Sequence, residues 1–131
     1  MELEEHSARI SEFRNQLSKL LSTDTLTIHN ILMNKQSRFN VEGVYLISTP
    51  DDNEIVYAGK TLTKSVIGRL SDHRTKDTKS DLKGMLKLKE FSDYPPEINN
   101  YLVRCVEVVD SRKRTFFEHF SISILQPPFN K

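Results

Sequence analysis

The 131-residue chain has a single cysteine and no long run of apolar residues. One cysteine, Cys105, excludes an internal disulfide and leaves no cysteine cluster for a structural zinc ion. None of the apolar runs approaches the ~20 residues that a membrane-spanning helix needs. Residues 1–10 are acidic and amphipathic, unlike a secretory signal or a transit peptide. These absences favour a reducing compartment, and we expect a cytoplasmic protein without a membrane partner (nucleoid-associated if bacterial).

The sequence also lacks the patterns of two common kinds of functional site. The sequence of residues 59–61, Gly-Lys-Thr, matches the last three residues of the phosphate-binding loop motif. That motif also needs a glycine five residues before Gly59, where the chain has Glu54. The histidines show no metal-ligand spacing; they are His6, His29, His73 and His119. The sequence therefore argues against a nucleoside-triphosphate site and against a zinc hydrolase.

What is present is enough for one compact domain with an added arm. Hydrophobic residues make up 37% of the chain and charged residues 28%, a composition too apolar for a disordered protein. We divide the chain into an N-terminal helical arm, residues 1–40, and a domain of residues 41–131. The arm is expected to pack on the domain or on a partner, and a homodimer through the N-terminal helices is one such arrangement.

Charge is concentrated in one segment although the formal net charge is only +1. Residues 60–89 hold three acids and nine cations, which are Lys60, Lys64, Arg69, Arg74, Lys76, Lys79, Lys83, Lys87 and Lys89. Such a band suits a polyanion such as nucleic acid, whose phosphates dominate binding. A solvated, lysine-rich helical surface explains the same band equally well.

Hydrophobic periodicity predicts an α/β fold of the α+β type, with a small, mainly antiparallel three-stranded sheet flanked by helices. Strands are predicted at residues 43–48, 54–59 and 100–109, with the first two joined by a turn at residues 49–53. Helices are predicted at residues 1–22 and 25–34, from a cap at Thr63 to about residue 74, after Ser80 with Leu82 to Leu88 included, and from residue 110 or 111. In the last helix we expect a buried stripe of Phe117, Phe120 and Ile124.

Four polar side chains are expected to lie close together. With a five-residue loop, Ser48 faces Glu54 and Tyr45 lies directly opposite Tyr57 on one face of the sheet. A register shift of one residue would separate the two phenols. Arg69 and His73 are one helical turn apart and project from one side of their helix.

Five features in order resemble the GIY-YIG nuclease superfamily. They are the triplets GVY (residues 43–45) and YAG (57–59), the pair Arg69 and His73, the helical Glu118, and Asn130 after two prolines. Valine and alanine replace isoleucines in the triplets, and every candidate polar group is retained. The resemblance covers residues 42–131 approximately and leaves the first forty unexplained.

The resemblance implies a Mg²⁺-dependent (or Mn²⁺-dependent) endonuclease that hydrolyses DNA phosphodiester bonds. It implies the catalytic residues Tyr45, Tyr57, Arg69, His73 and Glu118, with Glu118 as the metal ligand. It also implies the substrate-binding residues Lys60, Lys64, Arg74 and Asn130, with Asn130 bracing the site.

The residue types suit that chemistry. One carboxylate is enough for Mg²⁺, which usually keeps several waters, and the planar fork of Arg69 matches a phosphate. A tyrosine with a pKa near ~10 is a poor base until a cation or hydrogen bond lowers that value. We expect Tyr45, assisted by His73, to act on the attacking water.

Each residue also has an ordinary structural explanation. The tyrosines could form an aromatic pair, Arg69 could pair with Asp72, and His73 could favour a helix dipole. Glu118 could pair with Arg114, one turn away, and Asn130 could be a chain end. Two rival functions are a catalytically silent module that binds DNA ends or branched DNA, and a protein-interaction role with residues 1–22 as a docking helix.

Overall fold

The structure is a computed structural model that describes residues 3–130, with side chains described from residue 7. Its helices are α1 (Leu3–Ser22), α2 (Ile28–Asn34), α3 (Val66–Thr75), α4 (Leu82–Met85) and α5 (Ser111–Leu125). Its strands are β1 (Leu26–Thr27), β2 (Gly43–Ser48), β3 (Ile55–Lys60) and β4 (Leu102–Glu107). The predictions for residues 1–2 and 131 lie outside the described residues. Within residues 3–130 no helix has the length and apolar character to cross a membrane.

The sheet has four strands in the order β1-β4-β2-β3, and every pairing is antiparallel. The prediction of three strands was therefore wrong by one. The extra strand, β1, is only two residues long, too short for an alternating pattern to be seen in the sequence. It pairs with β4, and Thr27 then caps α2 by accepting a hydrogen bond from the Asn30 N–H at 3.1 Å.

The central strand β2 separates two apolar layers, as its alternation predicts. Tyr45 and Ile47 face the layer that includes α2, α3 and α4. Val44 and Leu46 face the other layer, where they pack with residues of α1 and α5, including Leu17, Leu20 and Phe117. The end of α1 thus lies against the sheet. The division at residue 40 and the homodimer stay predictions.

The hairpin register differs from the predicted one by two residues. Ser48 pairs with Ile55 because the loop is one residue longer than expected, and a β-bulge at Ile47/Ser48 adds a second shift. Tyr45 therefore pairs with Gly59, and Ile47 pairs with Tyr57. A register shift of one residue would place the two phenols on opposite faces of the sheet, but a shift of two keeps them on the same face. Tyr45 and Tyr57 are therefore diagonal neighbours, with ring centroids 6.1 Å apart.

The helices begin and end close to the predicted residues, with three corrections. Ser65, not Thr63, caps α3 by accepting a hydrogen bond from the Gly68 N–H. The helix after Ser80 stops at Met85 instead of continuing through Leu88. In α5 Phe117 is fully buried, but Ile124 is 59% exposed, so the buried stripe does not reach the end of the helix.

Candidate functional site

A groove of about 430 Å³ opens beside β3, at the edge of the sheet where the two layers meet. Strand β3, helix α3 from one layer and helix α5 from the other all contribute side chains. Among the residues that line it are Tyr57, Lys60, Lys64, Arg69, Asp72, Lys76 and Glu118. Five of the predicted site residues therefore share this groove. Tyr45, His73, Arg74 and Asn130 are not among its lining residues.

Tyr45 and His73 lie behind the groove wall, and both are fully buried. The Tyr45 Oη and His73 Nε2 atoms are 2.7 Å apart, and the other ring nitrogen, Nδ1, accepts a hydrogen bond from the backbone N–H of Leu82 at 2.9 Å. Burial and the Arg69 charge lower the pKa of His73 to about 4. Burial raises the pKa of Tyr45 well above its usual value. Tyr57 is therefore the phenol that a molecule in the groove can reach.

The glycine of the YAG triplet makes room for this arrangement. A Cβ atom at Gly59 would lie 2.6 Å from both Cζ and Oη of Tyr45 and 2.7 Å from Cε2 of Tyr57. Neither ring can give way, because both pack closely with His73, with centroid distances of 5.7 Å for Tyr45 and 5.2 Å for Tyr57. The triplet is thus explained by packing around the two phenols.

Arg69 is held in place by two carboxylates. One of its guanidinium nitrogens lies 3.1 Å from Asp72 and 3.2 Å from Asp81, and the other faces His73 at 3.5 Å. The pairing with Asp72, expected as a structural alternative, is therefore present. The side chain is nevertheless 22% exposed and lines the groove, so the ion pairs position it there.

Asp72 also lies close to two lysines on the α3 side of the groove. Lys64 donates to it at 2.7 Å, and the Lys76 ammonium lies 3.5 Å away. The hydrogen bond from Lys64, followed by that from Arg69, lowers the pKa of the Asp72 carboxyl against the effect of burial. Asp72 thus organises three positive groups along one side of the groove.

Glu118 faces these groups from α5, with its side chain 14% exposed. Burial raises the pKa of its carboxyl, while the charges of Lys60 and His119 act in the opposite direction. The nearest basic groups are 3.9 Å away at Lys60 and 3.8 Å away at His119, too far for strong charge-assisted hydrogen bonds. The Lys60 ammonium donates instead to Thr115 at 3.0 Å.

Arg114 does not pair with Glu118, which removes that structural alternative. Its guanidinium is 1% exposed and donates to the carbonyls of four residues, at 2.8 to 3.1 Å, and to Glu42 at 2.9 Å. The carbonyls belong to Thr61, Leu62, Val108 and Val109. These bonds join the start of α5 to the loop after β3, and so hold Glu118 opposite Lys60. The sequence carries no signal for this role, because the acceptors are backbone atoms of distant segments.

Asn130 braces β3, as the resemblance implied. Its side-chain oxygen accepts from the Ala58 N–H and its amide nitrogen donates to the Ala58 carbonyl, each at 2.8 Å. The Phe129 N–H also donates to the Val56 carbonyl at 2.9 Å. The end of the chain thus pairs with the open edge of the sheet. Direct contacts of Asn130 and Arg74 with a substrate stay predictions.

The donor set of the groove fits magnesium better than a metal that needs several protein ligands. Among the described residues no group of three or more His, Cys, Asp or Glu side chains could hold a metal ion. Glu118 supplies a single carboxylate, and Mg²⁺ usually keeps several waters and takes few protein ligands. Asp72, the other groove carboxylate, is already engaged by three cations.

The fold is similar to that of solved GIY-YIG nuclease domains. The GIY-YIG N-terminal endonuclease domain of UvrC from Thermotoga maritima, bound to its catalytic magnesium ion, matches with a TM-score of 0.53 and 18% identity over 79% of this chain and 96% of that one. Two point mutants of the same domain match with TM-scores of 0.53 and 0.52, at 16% and 17% identity, over 79% of this chain and 94% and 96% of theirs. No protein-family model matches the sequence, and no curated protein matches it significantly. The chain has a GIY-YIG-like fold, which confirms the resemblance seen in its motifs.

Proposed function

We propose that this protein is a Mg²⁺-dependent endonuclease that hydrolyses DNA phosphodiester bonds. The observation that carries the proposal is the groove itself, in which a phenol, a guanidinium, several ammonium groups and a half-buried carboxylate converge at one sheet edge. The GIY-YIG-like fold supports it, since the similar UvrC domain is an endonuclease that binds a catalytic magnesium ion.

Glu118 is the residue that would hold the ion, and Mn²⁺ would be accepted in place of Mg²⁺ because both prefer oxygen ligands. When bound, the ion supplies positive charge that polarises the phosphodiester and activates water. Lys60 helps to keep Glu118 ionised before the ion arrives, because its charge opposes the rise in pKa caused by burial.

Tyr57 is proposed to lose its hydroxyl proton to solvent and then, as a phenolate, to accept a proton from the attacking water, since it lines the groove beside Glu118. A phenol is a weak base at neutral pH, and burial raises the pKa of Tyr57 further. The positive charge of Arg69 and the neighbouring Tyr45 hydroxyl act in the opposite direction. This proposal replaces the expectation that Tyr45 acts on the attacking water, because Tyr45 is fully buried. Tyr45 and His73 would instead serve the reaction by supporting Tyr57 from behind.

Arg69 is proposed to bind the scissile phosphate and to stabilise the charge that develops on it, with Lys60 and Lys64 beside it. Asp72 and Asp81 would hold the guanidinium in position before DNA binds, which avoids the cost of ordering a free side chain. The surrounding cations would contact neighbouring phosphates, adding affinity without sequence preference. Arg74 and Asn130 have the least support as substrate contacts, because neither residue lines the groove. We infer a cytoplasmic location, where DNA is accessible.

The proposal is tested by Glu118→Gln, with Glu107→Gln as the matched control. Glu107 is exposed at the end of β4, away from the groove. With supercoiled plasmid, linear duplexes and branched DNA in Mg²⁺ or Mn²⁺, we expect Glu118→Gln to lower the cleavage rate by about 10³-fold and Glu107→Gln to leave it unchanged. Folding, followed by circular dichroism, and DNA affinity should be retained in both variants.

Wild-type cleavage by Glu118→Gln would overturn the metal assignment. DNA binding by the wild-type protein without cleavage of any substrate in either metal would overturn the nuclease proposal and favour a catalytically silent DNA-binding module. Mapping the product ends would identify the preferred DNA structure.

A further inference from the structure

A buried backbone group fixes the protonation pattern behind the groove. The N–H of Leu82 donates to His73 Nδ1 at 2.9 Å. Leu82 is the first residue of α4, and the first N–H groups of a helix have no partner within the helix. A backbone N–H can only donate, so Nδ1 must act as an acceptor and carries no proton.

The position of the remaining proton follows from the chemistry of imidazole. A neutral ring with an acceptor at Nδ1 carries its proton at Nε2. Burial together with the nearby charge of Arg69 favours the neutral ring, since the pKa of His73 is lowered to about 4. Nε2 lies 2.7 Å from the Tyr45 Oη. In this hydrogen bond His73 is therefore the donor and the phenol oxygen is the acceptor. The Arg69 guanidinium nitrogen, 3.5 Å from the same Nε2, is then a neighbouring charge and not a hydrogen-bond partner.

The direction of that bond decides what Tyr45 can do. His73 has no free acceptor for the hydroxyl proton of Tyr45, so that proton is directed elsewhere. The Tyr57 ring lies 6.1 Å from the Tyr45 ring, and the neighbouring Tyr45 hydroxyl acts to lower the pKa of Tyr57. The two donors thus point in one direction, from the start of α4 through His73 to Tyr45.

We propose that the backbone N–H of Leu82 is a positioning group that fixes the tautomer of His73, so that hydrogen bonds run from Leu82 through His73 to Tyr45, the phenol packed behind Tyr57. This inference rests on the proposed function for its catalytic meaning. The direction of the hydrogen bonds is a property of the protein without DNA and can be measured separately.

The test compares Leu82→Pro with Leu82→Ala. Proline removes the N–H, and the first position of a helix tolerates it. The preceding residue, Asp81, already has φ −118° and ψ 149°, a conformation favoured before proline. Alanine shortens the same buried side chain but keeps the N–H. The proline Cδ also occupies the place of the amide hydrogen and must displace the His73 ring, so the tautomer of the wild-type protein is the decisive measurement and the two variants are its support.

The primary readout is the ¹⁵N NMR signal of the His73 ring, assigned by its absence in His73→Gln. We expect the Nε2–H tautomer in the wild-type protein and in Leu82→Ala, and its loss or mixing with the Nδ1–H form in Leu82→Pro. Cleavage by Leu82→Pro should be about tenfold slower than by Leu82→Ala, the effect of one lost hydrogen bond.

A wild-type spectrum with the proton on Nδ1 would overturn the inference without any variant, even if Leu82→Pro failed to fold. Identical His73 signals and equal cleavage rates in the two variants would also overturn it. The expected tautomers without cleavage by any variant would support the hydrogen-bond direction and overturn only the proposed function.

Discussion

Two arginines hold the two walls of the groove, and they use their donors differently. Arg114, at the start of α5, is 1% exposed and gives its guanidinium to four backbone carbonyls and Glu42. Arg69, on α3, uses one nitrogen for two carboxylates and remains 22% exposed in the groove. A guanidinium has five N–H donors. Where the protein uses them all the arginine is part of the scaffold, and where it leaves some free the arginine can bind a ligand.

This comparison predicts opposite phenotypes on the two walls. Changes at the start of α5 should lower stability while the folded molecules stay active. Changes on α3 should lower activity or change the way in which the free energy of unfolding depends on pH. Three experiments test that division, beginning with the largest expected effect.

Replacement of Arg114 by methionine should lower the free energy of unfolding by about 3–5 kcal/mol, because it leaves several buried carbonyl groups without donors. Urea unfolding followed by circular dichroism measures the change. Glu42→Gln is the control: it weakens only the contact with a half-exposed carboxylate, which should cost less than about 1 kcal/mol. Equal effects of the two substitutions would mean that the carbonyl contacts carry little of the stability.

His73 should make the protein less stable as the pH falls from about 6.5 to about 4. The unfolded state takes up a proton near the ordinary histidine pKa, whereas the folded state does so only near pH 4. The unfolded state therefore binds more protons in this interval, and the loss integrates to about 3 kcal/mol.

Urea unfolding at a series of pH values measures this dependence, and His73→Gln is the reference because it lacks the titrating ring. The raised pKa of Glu118 acts in the opposite direction in both proteins, so it cancels in the difference. Parallel stability curves for the two proteins would contradict the assignment of a buried, neutral His73.

Arg69→Ala should lower single-turnover cleavage by about 10²-fold with a smaller change in DNA affinity, because the guanidinium acts mainly on the transition state. Arg74→Ala is the matched control on the same helix: Arg74 does not line the groove, and its loss should leave the cleavage step unchanged. A weakened affinity with an unchanged cleavage step in Arg69→Ala would make Arg69 a simple groove contact. A slower cleavage step in Arg74→Ala would show that Arg74, predicted only to bind substrate, also acts on the cleavage step.

Much of the fold and of the candidate site could be predicted from local patterns. The alternation in residues 43–48 predicted the two faces of β2, and the spacing of Arg69 and His73 predicted their common side. The ordered motifs led to the GIY-YIG-like fold that the solved structures support. Each of these features depends on neighbours in the sequence or on a strict order of residue types.

Features that depend on distant segments could not be predicted in the same way. The strand β1 has only two residues, and its partner lies some seventy-five positions away in β4. The hairpin register required both the loop length and the bulge, and each was missed. Tyr45 and Tyr57 nevertheless lie on the same face of the sheet, because the two one-residue shifts together move the register by two residues.

The chemistry of the site was determined at two levels. The sequence by itself determined which groups are available and their order along the chain: two phenols, an imidazole, a guanidinium and a helical carboxylate. Only the tertiary structure decided that Tyr57 faces the groove while Tyr45 is buried, and that His73 donates to Tyr45. The physical reason is that burial and hydrogen-bond direction depend on groups far apart in the chain, here the backbone N–H of Leu82 and the space above Gly59.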